Sequence, residues 1–299
     1  MKILIVGASG LIGKALEKLL VNEGHNVFVL SRSVSSAQEN KIPWDPKRGN
    51  LDPSAINGFD AIVNLAGENI STRWNSGRKK LILQSRTATT SLLCSAIGKL
   101  AVPPNVLINA SAVGFYGSRG EELLDEDSPS GKGFLAQVCR AWEASTHQAK
   151  KIGVRVVFLR TGVVFSPEGG ALKKMLLPFK FGVGGRIGDG KQYVSWIALN
   201  DLIRIISFCL NNPSIEGPVN ATAPHPVTNA ELTEALGEVL NRPTFMTVPK
   251  GAVRWIFGEM GDELLLSSTR AEPKKILEKG FSFELPELKN ALDAVGTLN

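Results

Sequence analysis

Three glycines at intervals of three residues lie directly after the first apolar run of the chain. The run is Ile3–Val6, and leucines at helical spacing follow the glycines. A turn between a strand and a helix needs glycine for tightness, for backbone access to a pyrophosphate and for close helix–strand packing. The N-terminus of the helix adds free N–H groups and the positive end of its dipole. The GxxGxxG pattern in this context predicts a dinucleotide site, the alternative being a merely tight turn. The residues predicted to contact the dinucleotide are Gly7, Ser9, Gly10, Leu11, Ile12 and Gly13.

The residues after the second apolar run indicate which dinucleotide is bound. In many dinucleotide-binding folds a carboxylate at this place accepts a hydrogen bond from the adenosine ribose 2′-OH. Here Asn26–Leu30 is followed by Ser31, Arg32 and Ser33, with no carboxylate. A guanidinium cannot accept from a hydroxyl, but it pairs well with a 2′-phosphate. We therefore predict NADP(H) rather than NAD(H), bound by Ser31 and Arg32, unless Arg32 is an ordinary solvated arginine.

Alternating strands and helices are expected to position these motifs. Continuous apolar runs are typical of strands that are buried on both faces of a parallel sheet. Their alternation with amphipathic stretches predicts an α/β fold with a Rossmann-like, doubly wound parallel sheet and right-handed connections. The predicted strands are Ile3–Val6, Asn26–Leu30, Ala61–Leu65, Val106–Asn109 and Val154–Leu159, and the predicted helices are Arg78–Leu100 and Leu135–Lys151.

The pattern changes after about Ser166, which indicates a second and smaller part. Gly182–Gly190 is too rich in glycine for a packed helix or strand, so we expect a loop there. Thr228–Leu240 predicts a helix with Asn229 as its N-cap, and another helix is expected near Leu285–Val295. The predicted division is an NADP-binding domain over 1–165, to which 196–212 return, and a smaller interleaved α/β substrate-side domain over 166–299 that includes 248–295.

Composition excludes several classes of protein. The 299 residues are 43% hydrophobic and 21% charged, which excludes disordered and fibrous chains. The net charge is +6, but the lysine pairs are dispersed, so a nucleic-acid partner is not expected. No run approaches the ~20 apolar residues that span a bilayer, and the first residues lead straight into a predicted strand without a signal peptide. We expect a cytoplasmic protein with no membrane partner and an oligomeric state that the sequence does not define.

The rare reactive residues are too scattered for a metal or disulfide site. Three cysteines and three histidines are present, with no CxxC pair and no HExxH motif. A disulfide framework, a zinc site and a histidine-based mechanism are therefore not expected.

Further motifs are spread over nearly the whole chain. They are Asn64–Asn69 (NLAGEN), Arg73-Trp74, Ser85-Arg86, Ser111 to Tyr116-Gly117, Arg160–Val164 (RTGVV), Gly184–Gln192 (GGRIGDGKQ), Trp196 to Asp201, and Val248–Leu292. With the glycine turn they resemble the extended short-chain dehydrogenase/reductase (SDR) superfamily of the NAD-dependent epimerase/dehydratase type. A narrower resemblance is to an epimerase-family subgroup of poorly defined function. Its members end in an uncharacterised domain, and some carry a cell-division-inhibitor label.

This resemblance implies roles at the carboxyl ends of several strands. Ser111 matches the active-site serine of the superfamily, and Arg86 would reach the cofactor from the helix after NLAGEN. The loop Gly184–Lys191 and Trp196 would face the substrate cleft. The cofactor-binding residues implied in this way are Leu65, Ala66, Gly67, Glu68, Arg86, Ser111, Arg160, Thr161, Gly162 and Val163.

The chain departs from the superfamily in its proton-transfer residues. These are normally a tyrosine and a lysine four residues later, where the lysine charge lowers the tyrosine pKa. Tyr116 is followed at that spacing by Gly120, and Tyr193 by Ile197. When the helix is aligned on Glu143, the expected positions hold Leu135 and Cys139, so the dyad is absent.

Three residues are candidates for the missing proton donor. Tyr116, five residues after Ser111, is the first, and its alternative is a loop anchor. Glu68 is the second, with an orienting or helix-capping role as the alternative. Cys139 is the third, provided that cationic neighbours lower its thiol pKa, and buried packing is the alternative.

Three functions remain open at this point. The first is an NADP-dependent epimerase or oxidoreductase acting on an unknown small substrate, of which a nucleotide-sugar is one candidate. Arg186 and Lys191 would then pair with an anionic substrate, unless they are solvated loop charges. The second is a non-catalytic NADPH-binding regulator, for which a link to cell division is one interpretation. The third is a nucleic-acid or division-complex binding protein that needs no cofactor turnover.

Overall fold

Strands and helices alternate along most of the chain, as its apolar runs predict. The computed structural model describes residues 1–33 and 39–296, and the elements are numbered in chain order. The strands in these ranges are β1 (Lys2–Val6), β2 (Asn26–Ser31), β3 (Lys41–Pro43), β4 (Ala61–Asn64), β5 (Val106–Ala112), β6 (Leu123–Leu124), β7 (Arg155–Thr161), β8 (Val163–Phe165), β9 (Gly185–Ile187), β10 (Tyr193–Val194), β11 (Trp196–Ala198), β12 (Gly217–Ala221), β13 (Val227–Thr228), β14 (Met246–Val248) and β15 (Arg270–Ala271). The α-helices are α1 (Leu11–Asn22), α2 (Ser76–Ile97), α3 (Phe134–Ala144), α4 (His147–Lys151), α5 (Gly170–Lys180), α6 (Leu199–Asn211), α7 (Asn229–Leu240), α8 (Lys250–Phe257), α9 (Glu259–Leu264), α10 (Lys274–Glu278) and α11 (Leu288–Gly296), and two 3₁₀ turns lie at Pro53–Ile56 and Val113–Tyr116.

Seven parallel strands form the central sheet. Their order is β12-β7-β5-β4-β1-β2-β3, and each adjacent pair is parallel. The chain builds outward from β1 through β2 to β3, then crosses to β4 and builds outward on the other side. The strand order therefore reverses between β1 and β4. Open parallel sheets bind ligands at this kind of topological switch point, outside the carboxyl ends of the strands. The Rossmann-like fold predicted from the sequence is confirmed.

Both faces of the sheet are buried, which explains the continuous apolar runs. Ile3 and Ile5 of β1 belong to a core formed with α1 and α6. Leu4 and Val6, which point to the opposite face, belong to a second core formed with α2 and α4. Side chains alternate across a strand, so a strand covered on both sides must be apolar at every position.

The second part of the chain has its own core but is interleaved with the first. Phe165, Trp196 and Leu236 belong to a third buried cluster that unites β8, β11, α5, α7 and α11. Between these elements, α6 packs against α1 and β12 joins the central sheet beside β7. The predicted division at residue 165 and the return over 196–212 stay predictions.

Two local predictions were wrong. The glycine-rich stretch Gly182–Gly190 contains strand β9, because β14, some sixty residues later in the chain, pairs with it in parallel register. The N-cap of α7 is Thr228, whose side chain accepts from the Glu231 N–H in a reciprocal capping box. Asn229 instead lies in the first turn, where its Oδ1 accepts from the Ile187 N–H at 2.7 Å.

Membrane-spanning helices and clusters of metal ligands were not expected, and the structure can be compared with both expectations over the described residues. Within residues 1–33 and 39–296, no helix combines the length and apolarity needed to cross a bilayer. The same ranges contain no group of three or more potential metal ligands. All three cysteines are buried and free.

Candidate functional site

The glycine turn lies at the carboxyl end of β1, next to the end of β4. Gly7 has a φ of +90°, and a Cβ built there would lie 2.9 Å from the carbonyl carbon of Leu65. A Cβ at Gly13 would lie 2.5 Å from the Gly7 carbonyl oxygen. Gly10 is the N-cap of α1, and no side chain of the described residues caps this helix. The first N–H groups of α1 are therefore available to a phosphate, and the turn fits a dinucleotide.

The residues that are predicted to bind the 2′-phosphate of NADP(H) lie at the end of β2. Ser31 is the last residue of that strand, and its hydroxyl lies 2.9 Å from the Ser33 hydroxyl. Arg32 between them is exposed. An exposed guanidinium beside two hydroxyls can form charge-assisted hydrogen bonds with a phosphate that enters from solvent.

Helix α2 holds the Leu65–Glu68 segment at the end of β4. The Glu68 N–H donates to the Ser85 Oγ at 3.1 Å. A Cβ built at Gly67 would lie 3.1 Å from the guanidinium carbon of Arg86, so the segment and the arginine are in close contact. The resemblance implied that Arg86 reaches the cofactor above this segment; Arg86 lies beside the segment, and its contact with the cofactor stays a prediction.

Arg86 and Glu68 differ in how they are held. Arg86 donates to the Ile82 carbonyl at 3.1 Å and lies 5.0 Å from the Trp142 ring centroid. Burial lowers the pKa of the Arg86 guanidinium, and the nearby Cys139 and Glu68 oppose that shift. Glu68 is part-exposed and pairs with Arg78 at 3.1 Å. This pairing favours the orienting role that was the alternative to catalysis at Glu68.

A carboxylate that is only 11% exposed connects the ends of β5 and β7. Glu143 of α3 accepts from the Ser111 Oγ at 2.8 Å and from the Arg160 Nε at 3.0 Å through one oxygen. Its other oxygen accepts from the Arg160 Nη2 at 3.1 Å. Arg160 is only 4% exposed, so its charge is held by Glu143 rather than by solvent. The hydroxyl proton of Ser111 is directed at Glu143, which leaves the Ser111 oxygen able to accept from a ligand.

Tyr116, the first candidate proton donor, is fully buried. Its hydroxyl donates to the Asn220 Oδ1 at 2.7 Å and accepts from the Arg160 Nη1 at 3.0 Å. Burial raises the Tyr116 pKa to about 12, although Arg160 acts to lower it. These contacts favour the alternative in which Tyr116 anchors the loop after β5.

The positions of the missing dyad are occupied by buried apolar groups. Leu135 is 8% exposed and packs near Gly114, where a Cβ would lie 3.2 Å from the Leu135 Cβ. The Cys139 thiol is directed at the Ala112 carbonyl oxygen at 3.7 Å. Burial and the charge of Glu143 raise the Cys139 pKa to about 11, which favours the packing role for this thiol.

The segment after β7 turns from the central sheet toward the third buried cluster, which includes β8 and β11. The Gly162 N–H donates to the Ala221 carbonyl at 3.1 Å, and a Cβ at Gly162 would lie 2.6 Å from the Ser195 carbonyl oxygen. The Val163 N–H donates to the same Ser195 oxygen at 2.8 Å. Thr161, at the end of β7, directs its hydroxyl at the Leu159 carbonyl.

The substrate-side residues that the resemblance implied do not all face an open cleft. Trp196 is fully buried, stacks on Phe165 and donates to the His225 carbonyl, so its expected place in the cleft was wrong. Arg186 and Lys191 are both exposed, and Arg186 donates to the Thr247 Oγ1 at 3.2 Å.

Sequence reasoning missed the central role of Glu143. In the sequence, Glu143 served only as the reference residue for locating the expected dyad positions. In the structure, Glu143 links Ser111 and Arg160. The signal was present: Arg160 follows the apolar run of β7, and a buried guanidinium requires a carboxylate or several carbonyl partners. Asn220, which accepts from Tyr116, gave no such signal.

Comparisons with known proteins extend this picture. Residues 3–221 match the model of the NAD-dependent epimerase/dehydratase family, and residues 248–295 match a domain of unknown function, DUF1731. An epimerase family protein of Mycobacterium tuberculosis is 45% identical over 289 residues, covering 96% of this chain and 95% of the relative.

Two solved structures share the fold and more than a third of the sequence. The human epimerase family protein SDR39U1, solved with NADPH, has a TM-score of 0.90 at 35% identity and covers 100% of both chains. A nucleoside-diphosphate sugar epimerase of Corynebacterium glutamicum has a TM-score of 0.83 at 35% identity, covering 99% of this chain and 58% of that one. The resemblance inferred from the motifs is thus confirmed, and the chain belongs to the NAD-dependent epimerase/dehydratase family, with a C-terminal DUF1731 domain.

Proposed function

We propose that this chain binds NADP(H) and is an atypical member of its family that acts as an oxidoreductase or epimerase without a Tyr–Lys dyad. The observation that carries the proposal is the glycine turn, whose uncapped helix and Cβ-free positions leave room for a pyrophosphate. The NADPH in the structure of human SDR39U1 supports the choice of nicotinamide cofactor.

Specific residues of the chain would hold this cofactor. The N–H groups at the start of α1 would bind the pyrophosphate, and Arg32 with Ser31 would bind the 2′-phosphate. The Leu65–Glu68 segment and Arg86 would line the middle of the site. Thr161, Gly162 and Val163 would border the nicotinamide end. When bound, NADP(H) supplies or accepts a hydride.

Ser111 and Glu143 are the best remaining groups for handling a substrate proton. Because Ser111 donates to Glu143, its oxygen is oriented to accept a hydrogen bond from a substrate hydroxyl. A proton that leaves the substrate would pass to Ser111 while the Ser111 proton moves toward Glu143. Arg160 would hold Glu143 in place through its two-point contact.

A titration with NADPH and NADH tests the cofactor assignment. We expect Arg32→Ala to weaken NADPH binding by tenfold or more through loss of a charge-assisted contact, and to leave NADH binding unchanged. The control is Arg242→Ala, which removes an exposed arginine between α7 and β14, outside the predicted cofactor residues. An unchanged NADPH dissociation constant in Arg32→Ala would show that this arginine is not the phosphate ligand. Absence of NADPH binding in the wild-type chain would overturn the whole proposal.

Turnover distinguishes an enzyme from a non-catalytic regulator. The burial of Leu135 and Cys139 at the dyad positions is the observation that keeps the regulator as a second candidate. NADPH oxidation should be followed against aldehydes, ketones and nucleotide-sugars. Turnover that is lost in Ser111→Ala, with the NADPH dissociation constant retained, would support the enzyme. Tight NADPH binding without turnover on the whole panel would favour the regulator.

A further inference from the structure

Exposed apolar side chains are concentrated in two segments of the substrate-side part. Among the described residues, 14 large hydrophobic side chains are exposed, and 7 of them lie within 170–187 and 242–257. These segments total 18 + 16 = 34 of the 299 residues, yet they hold half of the exposed set and all of its aromatic members. The seven are Leu177, Phe181, Val183, Phe245, Met246, Trp255 and Ile256.

The basic excess of the chain lies in the same two segments. Residues 170–187 contain four basic and no acidic residues, and residues 242–257 contain three basic and no acidic residues. The rest of the chain therefore has 34 − 7 = 27 basic against 28 acidic residues, a net charge of −1. The seven basic residues are Lys173, Lys174, Lys180, Arg186, Arg242, Lys250 and Arg254.

The two segments are adjacent in space. Strands β9 and β14 pair directly, with Gly185 opposite Met246, and Gly185 also forms a bridge with Phe245. Phe181 and Val183 lie four and two residues before β9, so the chain leads from them directly into the strand that pairs with β14. We call the exposed residues of 170–187 and 242–257 the basic apolar face.

Part of the basic charge is neutralised by neighbours. Lys250 pairs with Asp189 at 3.0 Å, and Arg254 pairs with Asp262 at 2.8 Å. The seven basic residues still outnumber these two carboxylates, so the face keeps a positive charge. Apolar side chains surrounded by positive charge are complementary to a partner with an apolar interior and an anionic outer layer.

We propose that the basic apolar face binds the surface of an anionic phospholipid bilayer. Exposed Trp, Phe and Leu side chains next to Lys and Arg are typical of proteins that lie on a membrane interface. The apolar groups enter the region between headgroups and acyl chains, and the basic groups pair with lipid phosphates. Such peripheral contact needs no membrane-crossing helix. A membrane surface is therefore a partner that the absence of long apolar runs does not exclude.

Two other occupants fit the face less well. A second copy of the chain, related by a two-fold axis, would place two positively charged surfaces against each other. A nucleic acid would match the charge, but four of the seven exposed apolar side chains are aliphatic and offer no ring for base stacking.

Vesicle flotation of the full chain tests the proposal. We expect binding to phosphatidylcholine vesicles that contain phosphatidylglycerol, little binding to phosphatidylcholine alone, and weakening by salt. The double variant Phe181→Ser/Phe245→Ser should lower the partition coefficient by tenfold or more, because two exposed aromatic rings that would enter the bilayer are lost. The control Val21→Ser/Val102→Ser removes exposed apolar side chains outside the face, which are 54% and 67% exposed, and should leave binding unchanged.

Further measurements distinguish the effect of lost positive charge on vesicle binding from the effect of a damaged fold. Lys173→Glu/Arg242→Glu should weaken binding to anionic vesicles by tenfold or more, and circular dichroism and the NADPH dissociation constant should be unchanged. Failure of the wild-type chain to bind anionic vesicles would overturn the proposal, as would equal binding by the wild-type chain and Phe181→Ser/Phe245→Ser. A dimer in solution that dissociates in this variant, without vesicle binding, would assign the face to a second copy. Vesicle binding that is lost in both double variants but kept in the control would establish that the basic apolar face binds anionic membranes.

Discussion

Arg160 and Glu143 form a two-point ion pair at the carboxyl end of the central sheet, with Nε–Oε1 and Nη2–Oε2 distances of 3.0 and 3.1 Å. Their side chains are only 5% and 11% exposed. The same Arg160 donates to the Tyr116 hydroxyl, and the same Glu143 accepts from Ser111. One pair thus positions both residues for which the sequence predicted catalytic roles.

Removing the charge of Glu143 should destabilise the protein strongly. In Glu143→Gln, the buried Arg160 loses its counter-charge while the side chain keeps its shape. Loss of one partner of a buried ion pair typically costs about 3–5 kcal/mol. We expect a decrease near the lower end of that range in the free energy of unfolding measured by urea denaturation.

An exposed pair with similar geometry provides the control. Arg119 donates to both carboxylate oxygens of Glu122 at 2.6 and 2.8 Å, but these side chains are 24% and 49% exposed. Glu122→Gln should change the free energy of unfolding by no more than about 1 kcal/mol. Equal losses in the two variants would mean that burial does not govern the strength of the Arg160–Glu143 pair.

Replacing Tyr116 with phenylalanine should affect stability rather than chemistry. The variant leaves the Asn220 Oδ1 and the Arg160 Nη1 without the hydroxyl that joins them, which should cost about 1–3 kcal/mol. If substrate turnover is found, its rate at saturating NADPH should stay within a few-fold of wild type. Loss of turnover in a variant that folds and binds NADPH would instead establish Tyr116 as the proton donor.

Tyr116 should also contribute to the loss of stability at high pH. Burial raises its pKa from 10.0 to about 12, so the unfolded chain releases this proton first. The stabilisation is complete below about pH 10 and is lost as the pH rises toward 12. Urea denaturation at pH 9 to 12 should show a smaller alkaline loss in Tyr116→Phe than in the wild type. Identical pH dependence in the two proteins would contradict the assignment.

The sequence was informative where structure is local. The strands of the central sheet are readable because burial on both faces demands apolar runs such as Ile3–Val6. The glycine turn is readable because its chemistry lies within seven consecutive residues. The fold, the family and the class of cofactor follow from these local patterns.

Contacts between distant residues could not be predicted in the same way. Tyr116 and Asn220 are 104 residues apart, and strand β9 exists only because β14 pairs with it. Such pairings depend on the tertiary arrangement, which overrides the loop preference of Gly182–Gly190. The polar network at Glu143 was missed for this reason, although each of its members was visible in the sequence.

All three thiols should be unreactive in the folded protein. Burial raises the pKa to about 12 for Cys94, about 11 for Cys139 and about 12 for Cys209, so almost no thiolate forms near neutral pH. Labelling with a chromogenic disulfide at pH 8 should therefore be slow in the native state and should reach three thiols in denaturant. Rapid native labelling at Cys139 would restore this residue as a candidate acid–base group.

Gly13→Ala should disrupt the cofactor turn. The added Cβ would lie 2.5 Å from the Gly7 carbonyl oxygen and 2.6 Å from the Ala8 Cα, and both are backbone atoms that cannot rotate away. We expect a loss of about 1–3 kcal/mol of stability and at least a tenfold loss of NADPH affinity, measured by denaturation and titration. Gly251→Ala is the matched control, because this glycine lies in α8 with no atom within 4 Å of an added Cβ. Since alanine favours helix, the control should gain up to about 1 kcal/mol and keep its NADPH affinity. Unchanged NADPH binding in Gly13→Ala would refute the close approach of α1 to β1 as the basis of the site.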